Sequence, residues 1–274
     1  MTLHTLDHLE QGSEEWLAAR RGMVTASVVG QLLTVGPPNP QTICCTTCHA
    51  EPGDPCISLA RKVPTPLKTV HVERTSAASI LPPVVSPARD DTSWGLTLTL
   101  AAERITGWTE HVWVSAAMER GNLDEPLARD LYSQTWEPVT EVGFMVRDDW
   151  GFSIGYSPDG LVGEVGLIEA KSRAPKKHLR TILADEVPAE NMAQIQCGLL
   201  VSGREWCDYL SYCGGMPMWR KRVHPDPAWF GAIIAAVTNF EAAVADITNT
   251  YEQAVAGLPT TERIDYSIPI GLEF

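Results

Sequence analysis

The sequence predicts an α/β or α+β sandwich, in which helices lie on both sides of a block of mostly sequential strands. Apolar residues recur with a helical period in four segments, and short strand-like runs bounded by Gly, Pro or Asp lie between them. The helical segments cover residues 94–106, 114–133, 188–201 and about 227–256. The strand-like runs cover residues 139–146, 151–156, 166–171, 205–212 and 217–223.

Residues 12–33 precede this block and predict two short helices. Trp16 lies on the apolar face of the first helix, where we expect it to be part of the core. Thr25 or Ser27 has the hydroxyl that an N-cap of the second helix requires.

Composition changes abruptly after this region. The stretch from Gly36 to about Asp91 contains ten prolines and four of the seven cysteines, and it has no sustained periodicity. A loop of this length rarely exists in a compact domain unless something other than a hydrophobic core organises it. We therefore expect residues 1–36 and 92–274 to form one core and residues 37–91 to form an inserted module.

The chain is acidic, with 21 basic and 34 acidic residues among 274 and a formal charge of −13. This balance excludes a protein that coats nucleic acid through bulk charge, so any DNA contact would use a local groove or bound cations. We see no apolar run that approaches the roughly 18 residues of a membrane span. The first ten residues lack the pattern of an export signal. We expect a cytoplasmic protein without a membrane partner.

The sharpest motif is a turn that contains Asp159, followed by a strand that contains Glu169 and Lys171. Because side chains alternate along a strand, Glu169 and Lys171 point to the same face, and a hairpin of this length can place Asp159 beside them. Two carboxylates and an amine on one face suit a Mg²⁺ or Mn²⁺ site with a cation near the nucleophile. The alternative is an ordinary surface strand next to a Pro-Asp-Gly turn.

Two further features favour the catalytic interpretation. Glu125 lies on the helix before the strands, and Gln194 and Gln196 lie in the middle of the helix after them. Neutral amides two residues apart, one of which must point inward, are unusual on a simple amphipathic helix.

The inserted module has the spacing Cys-x2-Cys-x7-Cys-x14-His, which is typical of a tetrahedral zinc site. A disulfide is disfavoured in a reducing compartment, and unrelated free cysteines in a loop remain an alternative. Cys44 and His49 are competing ligands. The predicted ligands are Cys45, Cys48, Cys56 and His71.

The role of this module stays open at the level of sequence. It is locally basic, which mildly favours DNA, while a structural clip or a docking surface for a partner are the alternatives. A structural clip is the safest interpretation. The basic residues are Arg61, Lys62, Lys68 and Arg74.

Five segments in order resemble the YqaJ-type viral recombinases, which include lambda-type exonucleases, within the PD-(D/E)xK nuclease superfamily. Residues 45–74 also resemble small zinc-binding modules of actinobacterial phage proteins. The resemblance implies a restriction-endonuclease-like core with a mixed central sheet flanked by helices, and a bacterial host cell. The five segments are residues 11–27, 121–128, 157–162, 166–171 and 193–209.

The resemblance also implies roles for individual residues at a nuclease site. Lys171 would orient or activate the attacking water, and Gln194 would lie beside it. Arg20, Ser27 and Ser157 would hold a terminal 5′-phosphate, and their donors suit phosphate oxygens. The implied ligands of Mg²⁺ or Mn²⁺, two ions in all, are Asp159, Glu169, the backbone carbonyl of Ala170, and Glu125.

These roles imply a metal-dependent exonuclease that acts 5′ to 3′ on double-stranded DNA ends and contains one structural zinc ion. Further implications are a single-strand annealing protein as partner and a homotrimer. The alternatives are an endonuclease of the same superfamily and a zinc-containing DNA-binding or scaffold protein with an idle nuclease site.

Overall fold

A computed structural model describes residues 2–60, 63–110 and 114–263. Most strands are short, as expected for a chain in which Gly, Pro and Asp interrupt the apolar runs. The strands are β1 Leu3–Leu6, β2 Val24–Thr25, β3 Leu33–Gly36, β4 Val84–Pro87, β5 Val139–Thr140, β6 Phe144–Arg147, β7 Ile154–Tyr156, β8 Gly160–Val162, β9 Gly166–Ser172, β10 Trp206–Tyr212 and β11 Trp219–Val223. The helices are α1 Glu14–Arg20, α2 Val72–Ser79, α3 Asp91–Thr106, α4 Ala116–Thr135, α5 Pro175–Ala184, α6 Ala189–Ser202 and α7 Pro227–Ala254.

The strands form two mixed sheets and one ribbon. The first sheet has the order β1-β6-β7-β2, and the second has the order β11-β10-β9-β8-β5. Strands β9 and β10 are parallel, as are β2 and β7, while the other neighbours in these two sheets are antiparallel. The predicted class, mixed sheets flanked by helices, is confirmed.

The core lies between the two sheets and helices α3, α6 and α7. Helix α6 is buried over most of its length, which explains why its apolar residues lie on more than one face. Gly198 of this helix packs against the ring of Tyr156 on β7, where an added Cβ would lie 2.7 Å from Cζ. The glycine therefore permits the close approach of helix and sheet.

The predicted strand at 139–146 is two strands in different sheets. β5 pairs with β8 in the second sheet, and β6 pairs with β1 and β7 in the first. Between them, the backbone at Gly143 passes so close to the carbonyl oxygens of Leu6 and Leu9 that no side chain fits there. The chain changes sheets at this position because glycine permits the contact.

Two predictions for the N-terminal region are wrong. The second helix is only a 3₁₀ turn at Val29–Leu32, and its N-cap, Val28, has no side-chain capping bond. Thr25 belongs to β2, and Ser27 lies in the turn before the 3₁₀ helix. The predicted short α-helix does not form here because the chain becomes extended at Leu33, where β3 begins. Helix α5 was not expected from the sequence.

The inserted module begins and ends at an antiparallel ribbon. Leu33 pairs with Pro87 and Gly36 pairs with Val84, so β3 and β4 bring its two ends together. β4 packs against α7. Between the two strands the described chain has one 3₁₀ helix, Pro40–Thr42, and helix α2. Loops make up the rest.

Helix α7 is long and apolar enough to cross a bilayer by length and composition, so the expectation that no segment meets this criterion is wrong. One such helix is weak evidence for a membrane span, because the core helix of a globular domain meets the same criterion. Ile233, Val237 and Phe240 of α7 are buried in the core. Residues 264–274, Arg61, Lys62 and Trp113 lie outside the described part of the chain.

Candidate functional site

Strand β9 places Glu169 and Lys171 on one face, as their spacing predicts. Glu169 is fully buried, and the Nζ atom of Lys171 lies 2.5 Å from its Oε1 atom. The Lys171 side chain is 27% exposed, so its charged end lies at the edge of a buried carboxylate. The carboxylate of this ion pair is therefore buried, while its ammonium group is partly exposed to solvent.

Asp159 lies between β7 and β8, where the chain crosses from the first sheet to the second. The register of β8 with β9 pairs Gly160 with Ile168, which places Asp159 next to Glu169. The backbone N–H of Ala170 donates a hydrogen bond of 2.7 Å to Oδ2 of Asp159. Asp159 is only 8% exposed, and this bond fixes its carboxylate against β9.

Helix α4 brings Glu125 to the same place. Its preceding residue, Asp124, accepts a hydrogen bond of 2.6 Å from the hydroxyl of Ser172 at the end of β9. Arg120 also donates to that hydroxyl, at 3.0 Å. These contacts hold α4 over β9, and Glu125 itself forms an ion pair of 3.3 Å with Arg129.

The three carboxylates influence one another electrostatically. Burial and the charge of Asp159 raise the pKa of Glu169 to about 8 and that of Glu125 to about 7, although Lys171 opposes both shifts. Burial also raises the pKa of Asp159, against Lys171 and the Ala170 N–H. Burial opposes the charge of Lys171, but the carboxylates of Glu169 and Asp159 raise its pKa above the ordinary value. When all three carboxylates are ionised, their negative charge exceeds what Lys171 and Arg129 together balance.

The surroundings of the Glu169 carboxylate indicate whether this cluster can bind a divalent cation. Apart from the ion pair with Lys171, neither of its buried oxygens has a hydrogen-bond partner in the described part of the chain. Buried carboxylate oxygens without donors are costly, and hard oxygen ligands are those that Mg²⁺ and Mn²⁺ prefer. The donor set therefore fits such a cation.

The two glutamines of α6 have different surroundings. Gln196 is buried, donates a hydrogen bond to the carbonyl of His224 at 2.9 Å and accepts one from the N–H of Asp226 at 2.9 Å. These two hydrogen bonds connect α6 to the segment before α7. Gln194, the predicted catalytic glutamine, is half-buried on another side of the helix. The unusual inward amide is thus Gln196, which has a structural role.

A second cluster brings together Arg20, Ser27 and Ser157, the residues predicted to hold phosphate. Arg20 donates hydrogen bonds to the hydroxyls of Ser27 at 3.0 Å and Thr25 at 3.2 Å. Its guanidinium lies 3.9 Å from the centre of the Trp16 ring, and the Trp16 indole N–H donates to Ser157 at 3.0 Å. Trp16 therefore connects the two parts of this cluster.

Arg20 is a half-buried residue that carries a positive charge. Burial lowers its pKa to about 10, a shift that Glu103 opposes, so the side chain stays cationic at neutral pH. Within the described residues no carboxylate forms an ion pair with it. A guanidinium with hydroxyls around it suits phosphate oxygens.

The prediction that Trp16 belongs to the core is wrong. Its ring is half-buried and its N–H is hydrogen-bonded to Ser157. The spacing of Trp16 and Arg20, four residues apart on α1, could have indicated the cation–π contact. Thr25 was predicted only as a cap, and no sequence pattern indicated its contact with Arg20.

The predicted zinc ligands form one compact group. The sulfur atoms of Cys45, Cys48 and Cys56 and a ring nitrogen of His71 all lie within 4.8 Å of one another. The three cysteines are buried, and Nδ1 of His71 is 3.4 Å from Sγ of Cys45. Among the described residues, no other set of three or more Cys, His, Asp or Glu side chains forms such a compact cluster.

The surroundings of the cysteines favour thiolates. Burial opposes ionisation of Cys45, but the backbone N–H groups of Cys48 and Thr47 and the His71 ring lower its pKa to about 6. The competing ligands are elsewhere: Cys44 is exposed, with its sulfur 3.7 Å from a Glu51 oxygen, and His49 is exposed. Thiolates are the form that binds zinc.

One residue of the predicted basic surface is not on the surface. Arg74 is fully buried, so it does not contribute to a DNA-binding face. Lys68 is exposed.

Two family models match the chain. The model of the YqaJ-like viral recombinase domain matches residues 69–205, which include the whole carboxylate cluster and Lys171. The model described as "Putative DNA-binding phage zinc finger domain" matches residues 11–92, which include the four zinc ligands. A comparison with curated proteins gives no match.

A solved exonuclease has the same fold. An alkaline exonuclease, LHK-Exo from Laribacter hongkongensis, is 28% identical, with a TM-score of 0.65 over 90% of this chain and 100% of that chain. The same exonuclease in complex with dAMP has a TM-score of 0.64 at the same identity and coverage. A phage-related exonuclease from Haemophilus somnus 129PT is more remote, at 13% identity and a TM-score of 0.45 over 59% of this chain and 85% of that chain.

Proposed function

Because this chain belongs to the YqaJ-like viral recombinase family, we propose that it is a metal-dependent exonuclease that degrades double-stranded DNA from 5′ ends. A DNA nuclease role is supported by the family and by the likeness to an alkaline exonuclease along 90% of this chain. One observation carries the finer proposal. The cluster around Arg20 and the carboxylate cluster are joined by a segment of three residues, Ser157 to Asp159.

The carboxylate cluster would hold Mg²⁺ or Mn²⁺, two ions in all. The proposed ligands are Asp159, Glu169, Glu125 and the backbone carbonyl of Ala170. When bound, the cations would supply Lewis acidity at the scissile phosphodiester and neutralise the excess negative charge. Among the described residues the buried oxygens of Glu169 have no partner besides Lys171, and this arrangement and the raised pKa of Glu169 support the assignment.

Lys171 would act on the water that attacks the phosphodiester. Its ammonium lies at the edge of the buried carboxylates, where it can donate a hydrogen bond to that water and orient it. Gln194 would lie beside the same water. Lys171 would also offset part of the negative charge that develops on the phosphate in the transition state.

Arg20, Ser27 and Ser157 would bind the terminal 5′-phosphate. Ser157 and Asp159 are two residues apart, so their Cα atoms are separated by at most roughly 7 Å. This is comparable to the separation of neighbouring phosphates along one DNA strand. A phosphate held at Ser157 therefore places the next phosphodiester near Asp159, which supports cleavage from a 5′ end.

A time course with three substrates tests this proposal. We expect fast Mg²⁺-dependent degradation of linear duplex with a 5′-phosphate, slower degradation with a 5′-hydroxyl, and none of a closed circle. Equal rates on both linear substrates, or cleavage of the circle, would indicate an endonuclease of the same superfamily. The variant Arg20→Lys should reduce the preference for the 5′-phosphate, because lysine lacks the planar fork of donors.

The remaining proposals concern organisation and partners. We propose that residues 1–36 and 92–274 form the nuclease core and that residues 37–91 form a zinc-binding insertion, which the β3–β4 ribbon supports. DNA is the supported partner. We further propose that the protein has a single-strand annealing protein as a partner and assembles as a homotrimer. Its proposed location is the cytoplasm of a bacterial host.

A further inference from the structure

Arg74 is the largest fully buried side chain of the described residues, and its surroundings differ from those of an ordinary buried arginine. A buried guanidinium normally pairs with a carboxylate, because an unbalanced charge in the interior is costly. Within the described ranges, no acidic side chain forms an ion pair with Arg74. Its positive charge therefore needs another counter-charge.

The guanidinium organises the loop that contains the zinc ligands. Every nitrogen of its planar fork donates to a group of this loop, including Sγ of Cys56 at 3.4 Å. Carbonyl dipoles solvate the guanidinium but supply no net charge. The carbonyl acceptors, at 2.9 to 3.1 Å, belong to Gln41, Ile43, Glu51 and Asp54.

Helix α2 supplies both a zinc ligand and this cation. His71 is the N-cap of α2, and Arg74 is three residues later in its first turn. Residues three apart lie on the same side of a helix, so both side chains point into the cysteine cluster. The first turn of α2 thus contributes two groups of different charge to one buried site.

The zinc complex can supply the negative counter-charge for the Arg74 guanidinium. Three thiolates, one neutral imidazole and Zn²⁺ carry a net charge of −1, and the guanidinium brings the buried unit to zero. We propose that Arg74 balances the charge of the zinc complex and thereby increases its zinc affinity. This inference rests on the proposed zinc site and assigns Arg74 as a positioning residue.

The full-length protein and a chelator competition assay for zinc test the proposal. We expect Arg74→Met to weaken zinc binding by about 10- to 100-fold, the usual effect of losing a group that supports metal ligands. Arg74→Lys keeps the charge but loses the fork, so its affinity should lie between those of Arg74→Met and the unmodified protein. Lys68→Met, at an exposed cation of the same module, is the matched control and should change little.

A second background separates charge balance from a purely structural role. Cys48→His replaces a thiolate that does not contact Arg74, and the zinc complex then carries no net charge. In this background we expect Arg74→Met to weaken zinc binding by less than about threefold. An equal loss in both backgrounds, or no loss in the original one, would overturn the proposal.

Failure of the inference and failure of the zinc site are distinguishable. A full-length protein that binds no stoichiometric zinc would refute the site itself. If Arg74→Met does not fold, Arg74→Gln replaces it, because glutamine removes the charge but keeps an N–H donor for the loop carbonyls. Its loss of zinc affinity should again be clearly smaller in the Cys48→His background, and an equal loss in both backgrounds would overturn the proposal.

Discussion

The indole N–H of Trp16 donates a hydrogen bond of 3.0 Å to the hydroxyl of Ser157, which connects α1 to the segment between the two sheets. The guanidinium of Arg20 stacks on the face of the same Trp16 ring. The tryptophan thus holds the cation and the serine in one arrangement. Together with the pairing of β2 and β7, this contact sets the relative position of α1 and the segment after β7.

We expect Trp16→Phe to reduce activity on 5′-phosphorylated ends by roughly 3- to 10-fold through KM, because it removes one hydrogen bond of about 1 kcal/mol while an aromatic ring remains. Activity on 5′-hydroxyl ends should fall less. Steady-state kinetics on both substrates measures the difference. Trp94→Phe, at a half-exposed position on α3, is the control. Equal losses on both substrates would contradict a role at the phosphate.

Asp159→Ala and Lys171→Ala should each reduce Mg²⁺-dependent degradation of linear duplex by at least about 100-fold. The first removes a proposed metal ligand, and the second removes the ammonium that orients water. The thermal transition should remain cooperative in both. Glu164→Ala changes an exposed acid on the neighbouring turn and should leave the rate unchanged. Substantial activity in either active-site variant refutes the catalytic assignment.

The pH dependence of stability follows from Glu169 and Glu125, whose pKa values are raised to about 8 and about 7. Between their ordinary value of 4.5 and these values, the folded state binds more protons than the unfolded state, so stability falls as pH rises. Without Mg²⁺ but with zinc present, we expect Tm to fall from pH 5 to pH 8. Glu169→Gln should flatten this slope. A Tm that rises over this interval would contradict the burial of these acids.

Tyr156 tests the cost of an unpartnered hydroxyl. Its buried oxygen has no hydrogen-bond partner in the described residues, so Tyr156→Phe should change the free energy of unfolding by less than about 1 kcal/mol or increase it. Tyr132→Phe is the matched comparison, because that hydroxyl donates to buried Asp208 at 2.7 Å. We expect it to cost about 1.5–3 kcal/mol. Urea unfolding measures both, and a larger loss for Tyr156→Phe would show that its hydroxyl has a partner.

Zinc content separates the ligand cysteines from their neighbour. The unmodified protein should contain one zinc ion per chain, and Cys48→Ser should lose it, because serine is a poor ligand for zinc. Cys44→Ser should keep it, since Cys44 is exposed and lies outside the compact group. Elemental analysis after gel filtration measures the zinc content of each variant. Loss of zinc from Cys44→Ser alone would reverse the ligand assignment.

The sequence by itself determined the features that depend on short separations. Glu169 and Lys171 share a face because strand geometry alternates, and Asp159 meets them because a short hairpin has one register. The spacing of Cys45, Cys48 and Cys56 likewise determines which thiols a loop brings together. Local backbone geometry decides all of these, so the sequence predicted them correctly.

Only the tertiary structure decided the features that depend on distant segments. The 139–146 run divides between two sheets because each half pairs with a different distant strand. Trp16 is a polar connector because Ser157, 141 residues away, accepts its N–H. Arg74 is buried because loop carbonyls and a thiol converge on it. Local periodicity contains no information on such partners, since they meet only when the chain folds.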